Sequence, residues 1–562
     1  MSNIMSNYKR YNPDFLWHRK QETSSSLRHQ IKFEGNHDDE PSMGSLKHKS
    51  SQIPCDPCQT SVRNFKAAAV IPLLYLFKLL RNTVCFILLN LMLGRKLMGA
   101  SIWLIYHLFG QTAVGPSFGT LTVLDNRTKR QYQVQIKNNT IEASQLRNIT
   151  ASQGDANLVD SLHSGLRILD PGYLNTACIE SRITFVDGSR GYKQYREHSI
   201  EYLVEKHDYE EVIYLLIWGH LPTALQKKDF QRAIAERCIP PQHVVQTIAS
   251  FPRDSLTSTI LVAGIAAYAS HDEGAVLATK SRRPAFSGQL EKVDNAVINC
   301  ISALATVVAL VYCHKRNKAF TPANSEDSLI GNAVRMMGFH RDGEDTEPNP
   351  EIVKCFEKLW ILYADHEMTN STVAFLHAAS TLTDPLSCCV SGIVSAYGPL
   401  HGGAIDLAYK TFEDLQSPDN VPALISDVKS KKQRLFGYGH RIYKAIDPRV
   451  KLIRALMDQH KDKVESNPLL SVAMEIDRVA NAEEYFTSRA LKANADLYGC
   501  FLYTALGFET DIIVAMACLS RTPGVLAHWR EMMLEKSPLL WRPQQVFTGK
   551  RSTEHEQVND SD

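Results

Sequence analysis

The stretch that decides the fold reads Gly437-Tyr438-Gly439-His440-Arg441 and continues to residue 449, where it ends in Asp-Pro-Arg. Two shorter stretches accompany it, Gly-Pro-Leu-His-Gly-Gly at 398–403 and Asn-Ala-Asp at 494–496. Glycines beside a histidine leave room for a substrate carbonyl, and an aspartate kept from water becomes basic enough to take a proton from carbon. The pattern therefore predicts carbon-acid chemistry at His401, His440 and Asp496.

Each stretch alone also fits a histidine at a helix end or a capping aspartate, so the inference depends on their order. That order resembles the citrate synthase family, in which a Gly-Pro-Leu-His-Gly motif, a Gly-(Phe/Tyr)-Gly-His motif ending in Asp-Pro-Arg, and an Asn-x-Asp motif follow one another. Further matches lie at 165–176, 183–188, 364–367, 520–524 and 542–543. The resemblance runs from about residue 118 to about residue 550. It implies a mainly α, two-domain helical fold with a small N-terminal β domain.

The resemblance also implies the roles of the catalytic side chains. Asp496 would be the base that removes a proton from an acyl thioester, and His401 would donate a hydrogen bond to the thioester oxygen. His440 would polarise the keto oxygen of oxaloacetate and protonate it as the new carbon–carbon bond forms. Base and donor are separate residues because enolate charge has to be supported at oxygen while the proton leaves carbon. The coenzyme A thioester is a substrate here, and neither a metal nor a redox cofactor is needed.

Oxaloacetate is a dianion, so its site needs fixed positive charge in the planar geometry of arginine. By the resemblance Arg449, Arg521 and Arg542 supply this charge, and His366 adds a further contact. Any one of these arginines, taken alone, would more often face water. Family members are homodimers or larger assemblies with an arginine that reaches across the interface, and Arg542 is the candidate for that role.

A basic cluster stands just before the first motif, where family members hold the adenine and phosphates of coenzyme A. It contains Lys431, Lys432 and Arg434. A lysine-rich run is also typical of a solvated surface, so both interpretations stay open.

The composition is that of a globular enzyme. The chain has 562 residues, 44% hydrophobic and 22% charged, with a formal net charge of +2. Its basic residues are interspersed with acidic ones, which predicts no nucleic-acid partner. Among the cysteines only Cys55 and Cys58 form a Cys-x-x-Cys pair, and no second pair completes a zinc site. We expect no metal site and reduced thiols in an intracellular protein.

The chain divides into five expected segments. Residues 1–63 are polar and aperiodic, which predicts a disordered tail, and 551–562 form a second polar tail. Alternating apolar residues predict a small β domain at 117–160. Helical periods predict a catalytic region at 161–550, with helices near 209–218, 260–269, 293–313 and 356–363. By the resemblance this region contains an inserted small domain at roughly 396–510.

The fifth segment, residues 64–116, carries apolar runs between 67 and 110, each shorter than the roughly 20 residues of a spanning helix. Three interpretations stay open: one tilted membrane span, an interfacial hairpin, or a stretch absent from the mature protein. The N-terminus lacks the pattern of a mitochondrial presequence, and the C-terminus lacks a peroxisomal address. A cytoplasmic location is expected, with mitochondrial or membrane-associated placement as alternatives.

Two departures from the family pattern concern the acyl group. Ile405-Asp406 stands where the family commonly has Asn-Glu, and residues 254–257 read Asp-Ser-Leu-Thr where many relatives have Asp-Ala-His-Pro. One methylene is worth only about 1–3 kcal/mol in an apolar pocket, so small changes of the wall alter acyl preference. Acetyl-CoA, giving citrate, is the leading hypothesis. Propionyl-CoA or a longer acyl-CoA, giving 2-methylcitrate or an alkylcitrate, is the alternative, and an inactive membrane-tethered scaffold is a remote third.

Overall fold

The computed structural model describes residues 118–150, 165–344 and 346–549. These residues belong to two compact units, a larger one within 179–545 and a smaller one made of parts of 118–178 together with 546–549. The predictions for residues 1–63, 64–116 and 551–562, and for Cys55 and Cys58, lie outside the described residues.

The smaller unit contains an antiparallel sheet of three strands, β1 (Phe118–Asp125), β2 (Arg130–Lys137) and β3 (Thr140–Ile141), followed by a 3-10 helix at Ala143–Asn148. Leu121 is the register partner of Val134. The chain reverses after Asp125, whose carboxylate accepts hydrogen bonds from the amide and the guanidinium of Arg127. The predicted strands near the N-terminal end of the family resemblance are thus confirmed.

The larger unit begins with a second antiparallel sheet and is otherwise helical, which confirms the mainly α fold. The strands are β4 (Thr184–Asp187), β5 (Tyr192–Tyr195) and β6 (His198–Ser199). The sequence analysis did not predict this sheet, because strands of two to four residues show too little alternation to detect.

The helices of the larger unit are numbered in chain order. They are α1 (Ile200–Lys206), α2 (Tyr209–Trp218), α3 (Ala224–Ala235), α4 (Gln242–Ala249), α5 (Thr257–Ala269), α6 (Glu273–Lys280), α7 (Leu290–Arg316), α8 (Leu329–Met336), α9 (Pro350–Tyr363), α10 (Asn370–Ala379), α11 (Pro385–Ala396), α12 (Ala404–Leu415), α13 (Val421–Lys429), α14 (Pro448–Gln459), α15 (Lys461–Glu465), α16 (Leu469–Ala482), α17 (Glu484–Thr487), α18 (Ala495–Ala505) and α19 (Ile513–Leu534). Short 3-10 helices lie at Pro418–Asn420 and Thr510–Ile512.

Local signals explain where several of these helices begin and end. α2 starts at a capping box. The side chain of Asp208 accepts a hydrogen bond from the Glu211 amide, and the side chain of Glu211 accepts one from the Asp208 amide. It stops at Gly219, whose φ of 86° ends the helix in the left-handed region. Asn349 caps α9, and Pro350 occupies its first turn, where a missing amide hydrogen costs nothing. The helices predicted near 209–218, 260–269, 293–313 and 356–363 are confirmed.

The core of the larger unit is built around α7 and α19, which pack against each other. Both are long and apolar enough to cross a membrane by length and composition, but 89% of the apolar window of each is buried inside the unit. Trp360 of α9 and Trp529 of α19 are fully buried in the same core. The apolar run at 293–313 is therefore a central helix of the larger unit.

Candidate active site

Backbone pairing joins the stretch that carries His440 to the residues that precede Asp496. The amide of Gly439 donates to the Lys492 carbonyl oxygen at 2.6 Å, and the amide of Asn494 donates to the Gly437 oxygen at 3.1 Å. The side chain of Asn494 extends the link, because its Nδ2 donates to the Gly439 oxygen at 2.8 Å. Two stretches more than fifty residues apart thus meet at one place.

Asn494 also caps α18 and so positions the carboxylate of Asp496. Its side-chain oxygen accepts from the Asp496 amide at 2.9 Å, which places Asp496 in the first turn of the helix. Burial raises the pKa of Asp496 to about 6, although Arg449 and Arg521 act in the opposite direction. A carboxylate with this pKa is ionised at neutral pH and more basic than an exposed aspartate, which suits a general base.

The ring of His440 is held in a defined tautomer. Its Nδ1 accepts hydrogen bonds from the amides of Ile442 at 3.1 Å and Tyr443 at 3.2 Å. Burial, and after it the charge of Arg449, lowers the pKa of His440 to about 4, so the ring is neutral near pH 7. A neutral ring whose Nδ1 is an acceptor carries its proton on Nε2. The sequence could not show which nitrogen is the donor; the backbone amides assign it.

His401 lies in the turn before α12 and is held by a side chain. Its Nε2 is 2.8 Å from the hydroxyl oxygen of Ser371 on α10. Burial and the charge of Arg521 lower its pKa to about 4 as well. His401 is therefore also neutral at physiological pH and able to donate one hydrogen bond.

His366 follows α9, and its ring is tilted by 43° against that of His440. The two ring centroids are 5.3 Å apart, and the buried Nε2 of His366 has no hydrogen-bond partner within the described residues. Burial and Arg449 lower the pKa of His366 well below its usual range. The preceding residue, Asp365, is fully buried, and its carboxylate lies 3.3 Å from Nε2 of His528. Burial alone would raise the pKa of Asp365, but the interaction with His528 outweighs it and lowers this pKa to about 2.

Arg449 is buried at the start of α14, with 7% of its surface exposed. Its Nε and Nη2 both donate to the carboxylate of Asp447, the latter at 2.6 Å. Asp447 also accepts from the Ala495 amide at 3.3 Å and so contacts the start of α18. The interpretation of Arg449 as a water-facing turn residue is excluded by this burial.

Arg521 lies on α19 and its Nε donates to the Tyr363 carbonyl oxygen at the end of α9. Its charge lowers the pKa values of His401, His366 and Asp496, while the charge of Arg449 lowers those of His440, His366 and Asp496. Two arginines thus act on a common set of groups. The structure brings together six of the predicted site residues: His366, His401, His440, Arg449, Asp496 and Arg521.

The remaining predicted residues lie at the surface. Arg542 is exposed in the segment after α19, and none of the hydrogen bonds of the described residues joins it to the other candidates. Lys431, Lys432 and Arg434 are exposed as well, and Lys432 pairs with Asp427 at 3.1 Å. A coenzyme-binding role for this cluster stays a prediction, as does an interface role for Arg542.

The glycines of the histidine motifs were predicted to leave room for a substrate carbonyl, but the structure gives a different reason for two of them, Gly403 and Gly437. A Cβ on Gly403 would lie 2.5 Å from the Tyr397 carbonyl oxygen. Gly437 has a φ of +76°, and a Cβ there would lie 2.9 Å from the Cα of Leu497. These glycines let backbone segments approach closely and do not hold open space for a substrate carbonyl.

Sequence reasoning missed several residues that shape the site. Asp365 and Asp447 stand inside the quoted motifs, so their proximity to His366 and Arg449 was available as a signal. Ser371 and the buried Lys193 carry no comparable signal, because their roles depend on contacts between distant segments.

Comparisons with known proteins identify the family. The family described as citrate synthase, C-terminal domain, matches residues 172–544. A citrate synthase-like protein of Aspergillus oryzae is 43% identical over 434 residues, which are 77% of this chain and 96% of that protein. A glyoxysomal citrate synthase of Cucurbita maxima is 35% identical, covering 78% of this chain and 84% of that protein. An alkylcitrate synthase of a fungal species is also 35% identical, covering 77% and 94%.

The fold has a solved counterpart. The citrate synthase of Thermoplasma acidophilum, determined as a ternary complex with carboxymethyl coenzyme A and oxaloacetate, matches with a TM-score of 0.61 and 26% identity. The match covers 68% of this chain and 97% of that structure. Motifs, fold and relatives agree, and the chain belongs to the citrate synthase family.

Proposed function

We propose that the protein condenses an acyl-CoA with oxaloacetate in a Claisen-type reaction and then hydrolyses the thioester to release coenzyme A. The observation that carries the proposal is the pairing of residues 437–440 with 492–494. It holds a neutral histidine with its proton on Nε2 beside the helix that presents a carboxylate of raised pKa.

Each step has a residue suited to it. Asp496 takes a proton from the α-carbon of the thioester while His401 donates to the thioester oxygen, so the enol forms without an unsupported charge. The enol carbon attacks the keto carbon of oxaloacetate, and Nε2 of His440 donates its proton to the developing alkoxide. Arg449, Arg521 and His366 bind the dicarboxylate. Water then cleaves the thioester, and this scheme requires neither a metal nor a redox cofactor.

The acyl group is acetyl in the leading version of the proposal, which gives citrate. A longer acyl group is the second candidate, because one relative is named an alkylcitrate synthase and is as similar as the glyoxysomal citrate synthase. In this chain Ile405 and Asp406 at the start of α12 stand at the departure from the family pattern. Burial raises the pKa of Asp406 to about 7, and the charges of Asp511 and Asp496 add to the effect. Unlike an exposed aspartate, Asp406 is therefore partly uncharged at neutral pH.

A comparison of rates tests the proposal. Thiol release is followed with acetyl-, propionyl- and hexanoyl-CoA, each with and without oxaloacetate, and the products are identified by mass. The expected result is oxaloacetate-dependent thiol release with acetyl-CoA fastest; preference for a longer chain selects the second candidate. Absence of thiol release with every acyl-CoA would contradict the reaction and favour the inactive scaffold.

Assembly and location follow the same reasoning. We propose a homodimer in which Arg542, exposed in the single chain, completes the partner subunit's oxaloacetate site, and in which Lys431, Lys432 and Arg434 hold the phosphates of coenzyme A. Named relatives in glyoxysomes support an intracellular location, and we place the protein in the cytoplasm. Membrane attachment through residues 67–110 stays a prediction, which detergent partitioning with and without residues 64–115 would test.

A further inference from the structure

A lysine, Lys193, is buried against the end of α9, the helix that precedes His366. Lys193 lies on β5 with none of its surface exposed. Its Nζ donates to the hydroxyl of Tyr195 at 2.9 Å and to the Leu362 carbonyl oxygen at 3.1 Å. No carboxylate of the described residues forms an ion pair with it. Both of its partners are neutral groups.

This environment disfavours the charged amine. An ammonium group without a counter-ion is costly to bury, and the last carbonyls of α9 supply only a partial negative charge. Burial, followed by the charges of Arg449 and Arg521, lowers the pKa of Lys193 well below its usual range. Asp365 and Asp447 oppose this shift without reversing it. Burial and the two arginines therefore favour the neutral amine over the ammonium form.

The same lysine contacts the segment that carries the substrate-binding histidine. Leu362 precedes Asp365 and His366, and the Tyr195 hydroxyl also donates to the Ile361 oxygen at 2.8 Å. The charge of Lys193 acts on the pKa values of both His366 and His440. A change in its protonation is thus felt at the groups that face the substrate.

The two arginines near Lys193 are already engaged before a substrate arrives. Arg449 is engaged by Asp447, and the charge of Arg521 is offset by the buried carboxylate of Asp365. Asp496, whose pKa both arginines lower, is a further carboxylate, so the arginines leave no excess positive charge to meet a dianion. The charged and titratable groups that surround the amine, taken over all the elements packed around it, are Tyr195, Asp365, His366, Glu367, His440, Asp447, Arg449 and Arg521.

We propose that Lys193 takes up one proton from solvent when a dicarboxylate fills the site, so that oxaloacetate binding is coupled to protonation of this buried amine. The inference rests on the proposed function, since it takes oxaloacetate as the dicarboxylate. Lys193 acts through charge and through the α9 segment, and is a positioning residue that does not touch the reacting atoms.

Calorimetric titration with oxaloacetate tests the coupling. The full-length protein is titrated in pairs of buffers that differ in ionisation enthalpy, from about pH 6 to about pH 10, which brackets the range between Asp496 and an ordinary lysine. The difference between buffers counts the protons taken up. Wild type is expected to take up close to one proton at pH values where the free amine is neutral.

Lys193→Met keeps the length of the side chain and removes the titrating group. It is expected to lose that proton and to bind oxaloacetate about tenfold more weakly for each pH unit by which the pKa of the amine in the complex exceeds the working pH. Lys444→Met is the matched control, because Lys444 is exposed yet its charge also acts on His440. The control is expected to keep the wild-type proton count.

The outcomes separate the inference from the proposed function. Oxaloacetate binding without proton uptake, or with equal uptake in Lys193→Met, overturns the inference and leaves the proposed function intact. Failure of the wild type to bind oxaloacetate overturns both. If Lys193→Met does not fold, the wild-type profile decides: uptake that persists above about pH 8 supports the lysine, and uptake confined below about pH 8 belongs to carboxylates such as Asp496 and Asp406 and overturns the inference.

Discussion

The two catalytic histidines share a pKa lowered to about 4 but are held in different ways. His440 lies in a stretch whose backbone pairs with residues 492–494, and two amides fix its Nδ1 as an acceptor. His401 lies in a turn, and its ring contacts the single hydroxyl of Ser371. A backbone amide cannot rotate away, whereas a hydroxyl can. The comparison teaches that the fold itself sets the orientation of His440, whereas one side chain sets that of His401.

Asp496 is the proposed base of the reaction, so its removal should have the largest effect. Asp496→Ala is expected to lower kcat by up to about 10⁴-fold, because no other described carboxylate stands in its place as base. Oxaloacetate affinity, measured by calorimetry, should remain measurable since the arginines are untouched. Unchanged thiol release in this variant would contradict the proposed base.

Asn494→Ala removes the side chain that links the His440 stretch to the start of α18. The variant loses the bond to the Gly439 oxygen and the cap of α18, so kcat should fall by roughly 10²-fold through misplacement of His440 and Asp496. Its free energy of unfolding should fall by about 1 kcal/mol. Thr223→Ala removes a comparable cap from α3, and should cost similar stability while leaving kcat unchanged. Equal losses of kcat in both variants would show that the effect is one of stability alone.

Ser371→Ala removes the hydroxyl that holds His401 and should reduce kcat by less than Asn494→Ala does. Loss of one hydrogen bond to His401 is expected to reduce kcat by about fivefold, since such a bond is worth on the order of 1 kcal/mol. The KM for oxaloacetate should stay unchanged, because Arg449 and Arg521 do not contact this serine. A loss larger than that of Asn494→Ala would reverse the comparison.

The smallest expected effect is that of lowering the pH to about 6, where kcat/KM should be half its value on the alkaline plateau. Asp496 must be ionised to accept a proton, so kcat/KM should fall as pH drops through its pKa of about 6. His401 and His440 stay neutral until about pH 4 and should add no second ionisation above that value. A rate profile between about pH 5 and 8 checks this. A second ionisation in that window that persists in Asp406→Asn and in Lys193→Met would mean that one histidine is not held neutral.

Much of the fold could be predicted from sequence, and the reasons lie in local signals. α2 was found because its apolar residues recur at helical spacing, and α7 because a long run of its sequence is apolar almost all round. The second sheet was missed because β5 places Lys193 on its buried face, where an apolar residue would have signalled a strand.

The candidate site divides in the same way. Asp496, His401 and His440 were identified through motifs, and the structure places the backbone of two of these motifs side by side. The tautomer of His440, the pairing of Arg449 with Asp447 and the burial of Lys193 depend on contacts between distant segments, which no spacing rule encodes. The surface position of Arg542 describes one chain, while its predicted role involves a partner.

The central claim is that Asp496 and His401 act on one enol, and a double-mutant cycle in kcat tests it most directly. Asp496→Ala, His401→Ala and the double variant are compared with wild type by thiol release. Groups that serve the same step are not additive, so the double variant should be about as slow as the slower single variant. Losses that multiply in the double variant would show that the two residues act independently and would contradict the account.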